Sequence, residues 1–173
     1  MQRTSRLTRV AIVAAALSAS SAAFAEGTFT PELGWGRISG GRIFHIGDMR
    51  RETASMNAAL GYRWDNGFGV RAVSIGAFDI MKDNEPPTFN DFYGVQATGQ
   101  FPLVSKLDLT AGLGAGRTGL NGGAPGHRED TTDGIVSAGL QYRPFTHFAL
   151  ELHFDYLTHT HERNLVLMAQ VPF

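Results

Sequence analysis

Two groups of ionisable side chains and one glycine-rich run are where this sequence could do chemistry. Glu151, His153 and Asp155 alternate with Leu150, Leu152 and Phe154, so an extended backbone throws the three polar groups onto one face. A histidine between two carboxylates can change charge between about pH 5 and 8, which makes His153 a candidate proton-sensitive gate. His159 and His161 alternate in the same way and precede Glu162; if the strand continues they share a face, and a third ligand would complete a metal site. Two neighbouring histidines are weak evidence, and neither a metal ligand nor a catalytic residue is assigned from them. Gly114-Ala115-Gly116-Arg117-Thr118-Gly119 spells GxGxxG, but a dinucleotide site needs that turn to open a helix inside a βαβ unit. No helical period follows, so the alternating glycines are read as thinning a wall, and no cofactor is expected.

The elements that must position these groups are strands. Period-two alternation recurs in eight segments, residues 28–38, 53–63, 68–79, 91–101, 106–117, 132–143, 148–157 and 163–173. Each is about the length of a tilted transmembrane strand, ~9–11 residues. Tight connections with Asn-Gly or Pro chemistry at 64–67, 102–105 and 144–147 alternate with longer polar stretches at 39–52, 80–90 and 118–131, and the last, 158–162, is short. Short turns at one end and long loops at the other fit an all-β, eight-stranded antiparallel up-and-down transmembrane β-barrel, with both termini periplasmic.

Parity then separates two faces. Glu32, Arg63, Arg71, Arg143, Glu151, His153 and Asp155 fall on the face assigned to the interior, where eight strands leave just enough room for side chains. Ion pairing within a water-poor core is the preferred reading of that set, with a narrow gated pore as its functional alternative. Tyr62, Phe68, Phe101, Tyr142, Phe148 and Phe173 fall outward at the turn ends, and Trp35, Tyr93, Phe154 and Tyr156 outward toward the loop ends, as two membrane-interface girdles require. The third segment breaks the pattern: Val73 and Ile75 share the face that Arg71 marks as interior, and a bulge or register change near Ser74 is expected.

The first residues read differently. Arg3, Arg6 and Arg9 precede an apolar run over 10–17 and Ala23-Phe24-Ala25, the layout of a cleaved signal peptide. Residues 1–25 are therefore assigned to export and 26–173 to one barrel domain. With net charge −1 overall, losing three arginines and no acid leaves the mature chain near −4, which argues against a nucleic-acid partner. Cysteine is absent from all 173 residues, which rules out disulfides and thiolate chemistry.

Gly61-Tyr62-Arg63, the run 136–143 (VSAGLQYR), the run 150–156 (LELHFDY) and the terminal Val171-Pro172-Phe173 resemble the eight-stranded OmpA/OmpX-like outer-membrane β-barrel family over the whole mature chain. The resemblance implies a bacterial outer-membrane location, contact with outer-membrane lipid and lipopolysaccharide, and recognition of Phe173 by the outer-membrane assembly machinery. Pro172 departs from the commoner aromatic-X-Phe ending and withholds a backbone donor. Because the sequence ends at the barrel, the wall-binding domain of OmpA proper is not implied. The expected function is an outer-membrane structural and surface-interaction protein whose loops take an extracellular ligand. The rival is a lipid-modifying enzyme: in lipid A deacylase barrels a His and a Ser two positions apart form a hydrolytic site. Here Thr160 separates two histidines, and the nucleophile is missing.

Overall fold

The computed structural model describes residues 27–39, 52–78, 88–121 and 128–173. The segment assigned to export lies outside these, as do most of the first two long connections and the centre of the third. Eight strands follow one another in sequence order: β1 (Gly27–Ser39), β2 (Glu52–Trp64), β3 (Phe68–Phe78), β4 (Thr88–Val104), β5 (Leu107–Asn121), β6 (Arg128–Phe145), β7 (Phe148–Leu157) and β8 (Arg163–Gln170). Each pairs antiparallel with the next, and β1 pairs with β8 from Glu32↔Gln170 to Ser39↔Arg163, which closes the barrel. Closure satisfies every strand edge, the condition for placing a sheet in lipid.

Turn chemistry sets the pairing at one end. Gly67 takes φ 84°, its N–H donates to the Trp64 carbonyl at 3.0 Å, and the Asn66 side chain accepts from the Phe68 N–H at 3.0 Å. Pro102 and Pro144, expected in turns, lie instead within β4 and β6. They sit beside ladder irregularities, between Pro102 and Val104 and between Tyr142 and Phe145. A residue without an N–H is tolerated in a sheet where the ladder is already interrupted.

Two further expectations are corrected. β3 carries no bulge at Ser74, because its pairing with β2 and β4 runs without a shift from Phe68 to Phe78. Val73 and Ile75 therefore do face inward, and Ile75 is completely buried. The stretch 118–131 is not all loop: β5 continues to Asn121 and β6 begins at Arg128, paired through Thr118↔Thr131 and Asn121↔Arg128. Outward charges hold this extension together. Arg128 binds Asp91 at 2.8 and 2.9 Å and Asp130 at 2.8 Å, and Arg117 reaches Asp130 at 3.0 Å. β4, β5 and β6 span 17, 15 and 18 residues against 10 and 8 for β7 and β8.

Candidate functional site: the lumen and its two ends

Burial alternates along most of the strand length. Leu33, Trp35, Leu113, Leu152, Phe154 and Leu167 are exposed on the outer surface, whereas Glu32, Glu151 and Asp155 are buried. Among the girdle residues, Phe68, Tyr93, Phe101, Tyr142 and Phe173 are exposed, and Phe148 and Tyr156 are partly exposed. Tyr62 is buried, because Phe29 and Trp64 pack edge-on against its ring at centroid distances of 4.8 and 5.6 Å. An apolar surface this continuous is not stable against water.

The lumen is built around Arg71. Its Nη1 donates to Glu32 at 3.2 Å, and its Nε and Nη2 donate to Gln96 Oε1 at 3.1 and 2.7 Å. Glu151 lies 3.9 Å from the same guanidinium. The His153 ring is flanked on both sides, by Glu151 at Nδ1 (3.1 Å) and Asp155 at Nε2 (2.6 Å). A ring can donate from both nitrogens only as imidazolium. Asp155 also accepts from Ser137 at 2.6 Å and from Asn164 at 3.2 Å, and Asn164 links on to Asn57 and Ser55. Toward the turn end, Arg143 bridges to Asp108 at 2.7 Å and Arg63 donates to Gln100, which also binds Asp108 at 2.6 Å. A chain of amides, Gln100, Gln141 and Gln170, joins this lower pair to Glu151.

All seven expected interior residues thus lie within the lumen, in two linked groups: Glu32, Arg71, Glu151, His153 and Asp155 at mid-height, and Arg63 with Arg143 near the turns. The set singled out from the sequence held charged residues and His153 and left out the neutral members. Gln96, Ser137, Gln141, Asn164 and Gln170 are all buried, and their inward parity was the signal available. Between the charged centre and the loops lies a layer of different character. Ile38, Ile75, Phe92, Ile135 and Leu157 are buried against one another, with Val73, Ala77 and Phe89 packed beside them. The Phe92 ring fits because the wall beside it lacks side chains: a Cβ on Gly94 or Gly116 would lie 2.6 Å from its Cζ.

The histidines at the loop end do not share a strand face. β7 stops at Leu157, residues 158–160 turn, and His161 adopts φ 60°. Its Nδ1 meets the Tyr156 hydroxyl at 2.7 Å. Among the described residues, neither His159 nor His161 meets a serine hydroxyl or a carboxylate through its ring, and no group of three His, Cys, Asp or Glu could hold a metal ion. The turn is instead fastened by Asp133, which accepts from the His159 N–H at 2.7 Å and from the Thr160 N–H and hydroxyl at 3.1 and 2.6 Å. Glu162 lies beside it, and burial together with the Asp133 charge pushes its carboxyl up to about 7.

A closed barrel with an apolar outside and an ionised inside has the polarity of a membrane-spanning cylinder, and the family model described as "Outer membrane protein beta-barrel domain" matches residues 10–166. The chain belongs to this family. Its members' location, the bacterial outer membrane, follows with membership. No curated protein matches the sequence. Among solved structures, the barrel is similar to Ail, the attachment invasion locus protein of Yersinia pestis, at 20% identity and TM-score 0.58, over 86% of this chain and 99% of that one. It is also similar to Neisserial surface protein A, at 14% identity and TM-score 0.59, over 85% and 97% of the two chains. The N-terminal β-barrel domain of Pseudomonas aeruginosa OprF aligns at 15% identity and TM-score 0.58, over 84% and 97%. At these identities the likeness to solved structures speaks for fold alone, which agrees with the family model: a compact outer-membrane barrel.

Proposed function

We propose that this protein is a structural and surface-interaction barrel of the outer membrane, holding its turns and both termini in the periplasm and offering its loop end to ligands outside the cell. The observation that carries this reading is the filled lumen. Charged and amide side chains bond across it at mid-height and an apolar layer lies above them, so the parts available for partners are the outer wall and the rim. On the outer wall, Leu33, Trp35 and Leu167 would face acyl chains. At the loop end, the side chains of Arg117 and Arg128 are 72% and 47% exposed, and a phosphorylated or sulfated sugar, lipopolysaccharide among them, would bind them by competing with Asp130 and Asp91, to which they are now paired. A structure of the similar Ail barrel was solved with the heparin analogue sucrose octasulfate, which supports a polyanionic class of ligand here.

On this reading residues 1–25 are removed after export and Phe173 presents the assembly signal. The test combines fractionation, heat-modifiability on detergent gels and planar-bilayer recording of purified protein with binding of whole cells to immobilised heparin. A heat-modifiable band in the outer membrane, beginning at Glu26, without steady conductance and with heparin binding lost in an Arg117→Ala/Arg128→Ala variant, is expected. Recovery in the soluble periplasmic fraction, or a steady conductance, overturns the reading.

A further inference from the structure

We propose that the apolar layer Ile38, Ile75, Phe92, Ile135 and Leu157 is a septum that closes the lumen from the loop end, leaving the polar interior reachable by water and ions from the turn end alone. The five side chains come from β1, β3, β4, β6 and β7, so the layer spans the bore instead of lining one wall. Each is at most 3% exposed. An ion entering from the loops would have to shed its water to pass these five packed side chains, because the inward residues across from them on β8, β2 and β5, Asn164, Asn57 and Thr118, are buried and already bonded to protein partners. Phe92 is the widest member, and its ring lies where Gly94 and Gly116 leave the wall bare, so the septum fills the bore without a gap beside the ring.

The other end is different. Cavities of about 60 and 260 Å³ share Arg63, Gly67 and Gln100 in their linings, and no septum residue lines either. The smaller reaches up to Glu32, Arg71, Glu151 and His153. Thr30 lines it too, buried, with a hydroxyl that meets no protein partner, so its hydrogen bonds fall to water drawn from that side. The lumen is therefore a blind vessel: wet at the turns, dry at the septum. Its translation into periplasm and exterior rests on the orientation proposed above, but the septum itself is defined by the two ends of the barrel.

The cysteine-free chain makes the test direct. Single-cysteine proteins are reconstituted in sealed vesicles and treated from outside with a charged, membrane-impermeant methanethiosulfonate. Asp65→Cys, in the exposed β2–β3 turn, measures the fraction of barrels whose turn end faces the reagent. Thr30→Cys is expected to label to that same fraction and no further. Ser137→Cys, two residues below Ile135, is expected to stay unlabelled in barrels whose loops face the reagent. Adding Phe92→Ala and Ile75→Ala should raise its labelling rate in those barrels about tenfold or more, as the dry barrier is removed. Heat-modifiability of each variant shows that it is folded, and Phe92→Leu serves as a milder septum change where the double variant fails to fold. The proposal is overturned if Thr30→Cys labels in every barrel or in none, if Ser137→Cys reacts from the loop end with the septum intact, or if folded septum variants react no faster. A topology measurement in cells placing position 65 outside would overturn the orientation and leave the septum standing.

Discussion

Arg71 Nη2 lies 3.0 Å from His153 Nε2, which places two cation-forming groups in contact at mid-lumen. The contact is sustained by the three carboxylates around it, Glu32, Glu151 and Asp155. Five buried groups therefore form one unit, and removing any charge exposes the rest to each other.

Arg71→Ala leaves those carboxylates without the guanidinium between them. A loss of about 3–5 kcal/mol in unfolding free energy is expected, the cost of breaking a buried ion pair from one side, measured by urea unfolding in lipid vesicles. Glu32→Gln should cost less, and the Arg71/Glu32 double-mutant cycle should show a coupling of about 1–3 kcal/mol. Additive effects would mean that the side chains act independently.

Space at the lumen wall is distributed unevenly, and two alanine substitutions read it out. A Cβ at position 112 would come no closer than 3.4 Å to its neighbours, whereas one at 116 would lie 2.2 Å from the Tyr93 carbonyl oxygen and 2.6 Å from Phe92. Gly112→Ala should be nearly neutral and Gly116→Ala should destabilise by about 1–3 kcal/mol. Equal unfolding midpoints for the two would contradict this packing.

Glu162 predicts a pH effect confined to the β7–β8 turn. Its folded value, about 7, stands above the ordinary 4.5, so the protonated form is the one the fold favours. Its contribution is complete below pH 4.5 and disappears as pH rises through 7, where a second charge appears beside Asp133. Protection of the His159 and Thr160 amides, whose N–H groups bind Asp133, taken relative to the intrinsic exchange rate at each pH, should be greater at pH 5.5 than at pH 8. In Glu162→Gln that difference should shrink. An unchanged difference would place its origin elsewhere.

Phe173 exchanges two backbone bonds with Phe29, at 2.9 and 3.0 Å, although its side chain is 72% exposed. Deleting it should lower the heat-modifiable fraction in cells several-fold while refolding from urea in detergent falls only slightly, because two ladder bonds at a chain end are worth about 1 kcal/mol each at most. Phe173→Tyr should restore assembly in cells. Equal losses in both settings would point to a purely structural role.

The strands were legible because lipid outside and ions inside impose a two-residue period, as in Phe148–Leu157, whose observed ends match those read from the sequence. The septum was not. Val73 and Ile75 looked like an error in parity, because an apolar residue facing inward contradicts the rule that defines the barrel elsewhere. Ile38, Phe92, Ile135 and Leu157 carry the same inward parity near the loop ends of other strands, and only their coincidence at one height gives Ile75 its meaning. Height is fixed by pairing between strands, as in Ile75↔Phe92 and Ile135↔Leu157, which alternation within one strand does not carry. The upper ends of β5 and β6 were hidden for another reason: above the bilayer an outward strand face holds Arg117, Arg128 and Asp130, the composition of a loop.

Strand heights that differ around the circumference give this molecule a front and a back in the plane of the membrane. At roughly 3.3 Å of rise per residue, the described strands β4, β5 and β6 make a longer stretch of wall than β7 and β8. Among the described residues, a neighbour alongside β4 to β6 therefore meets more strand backbone than one alongside β7 and β8.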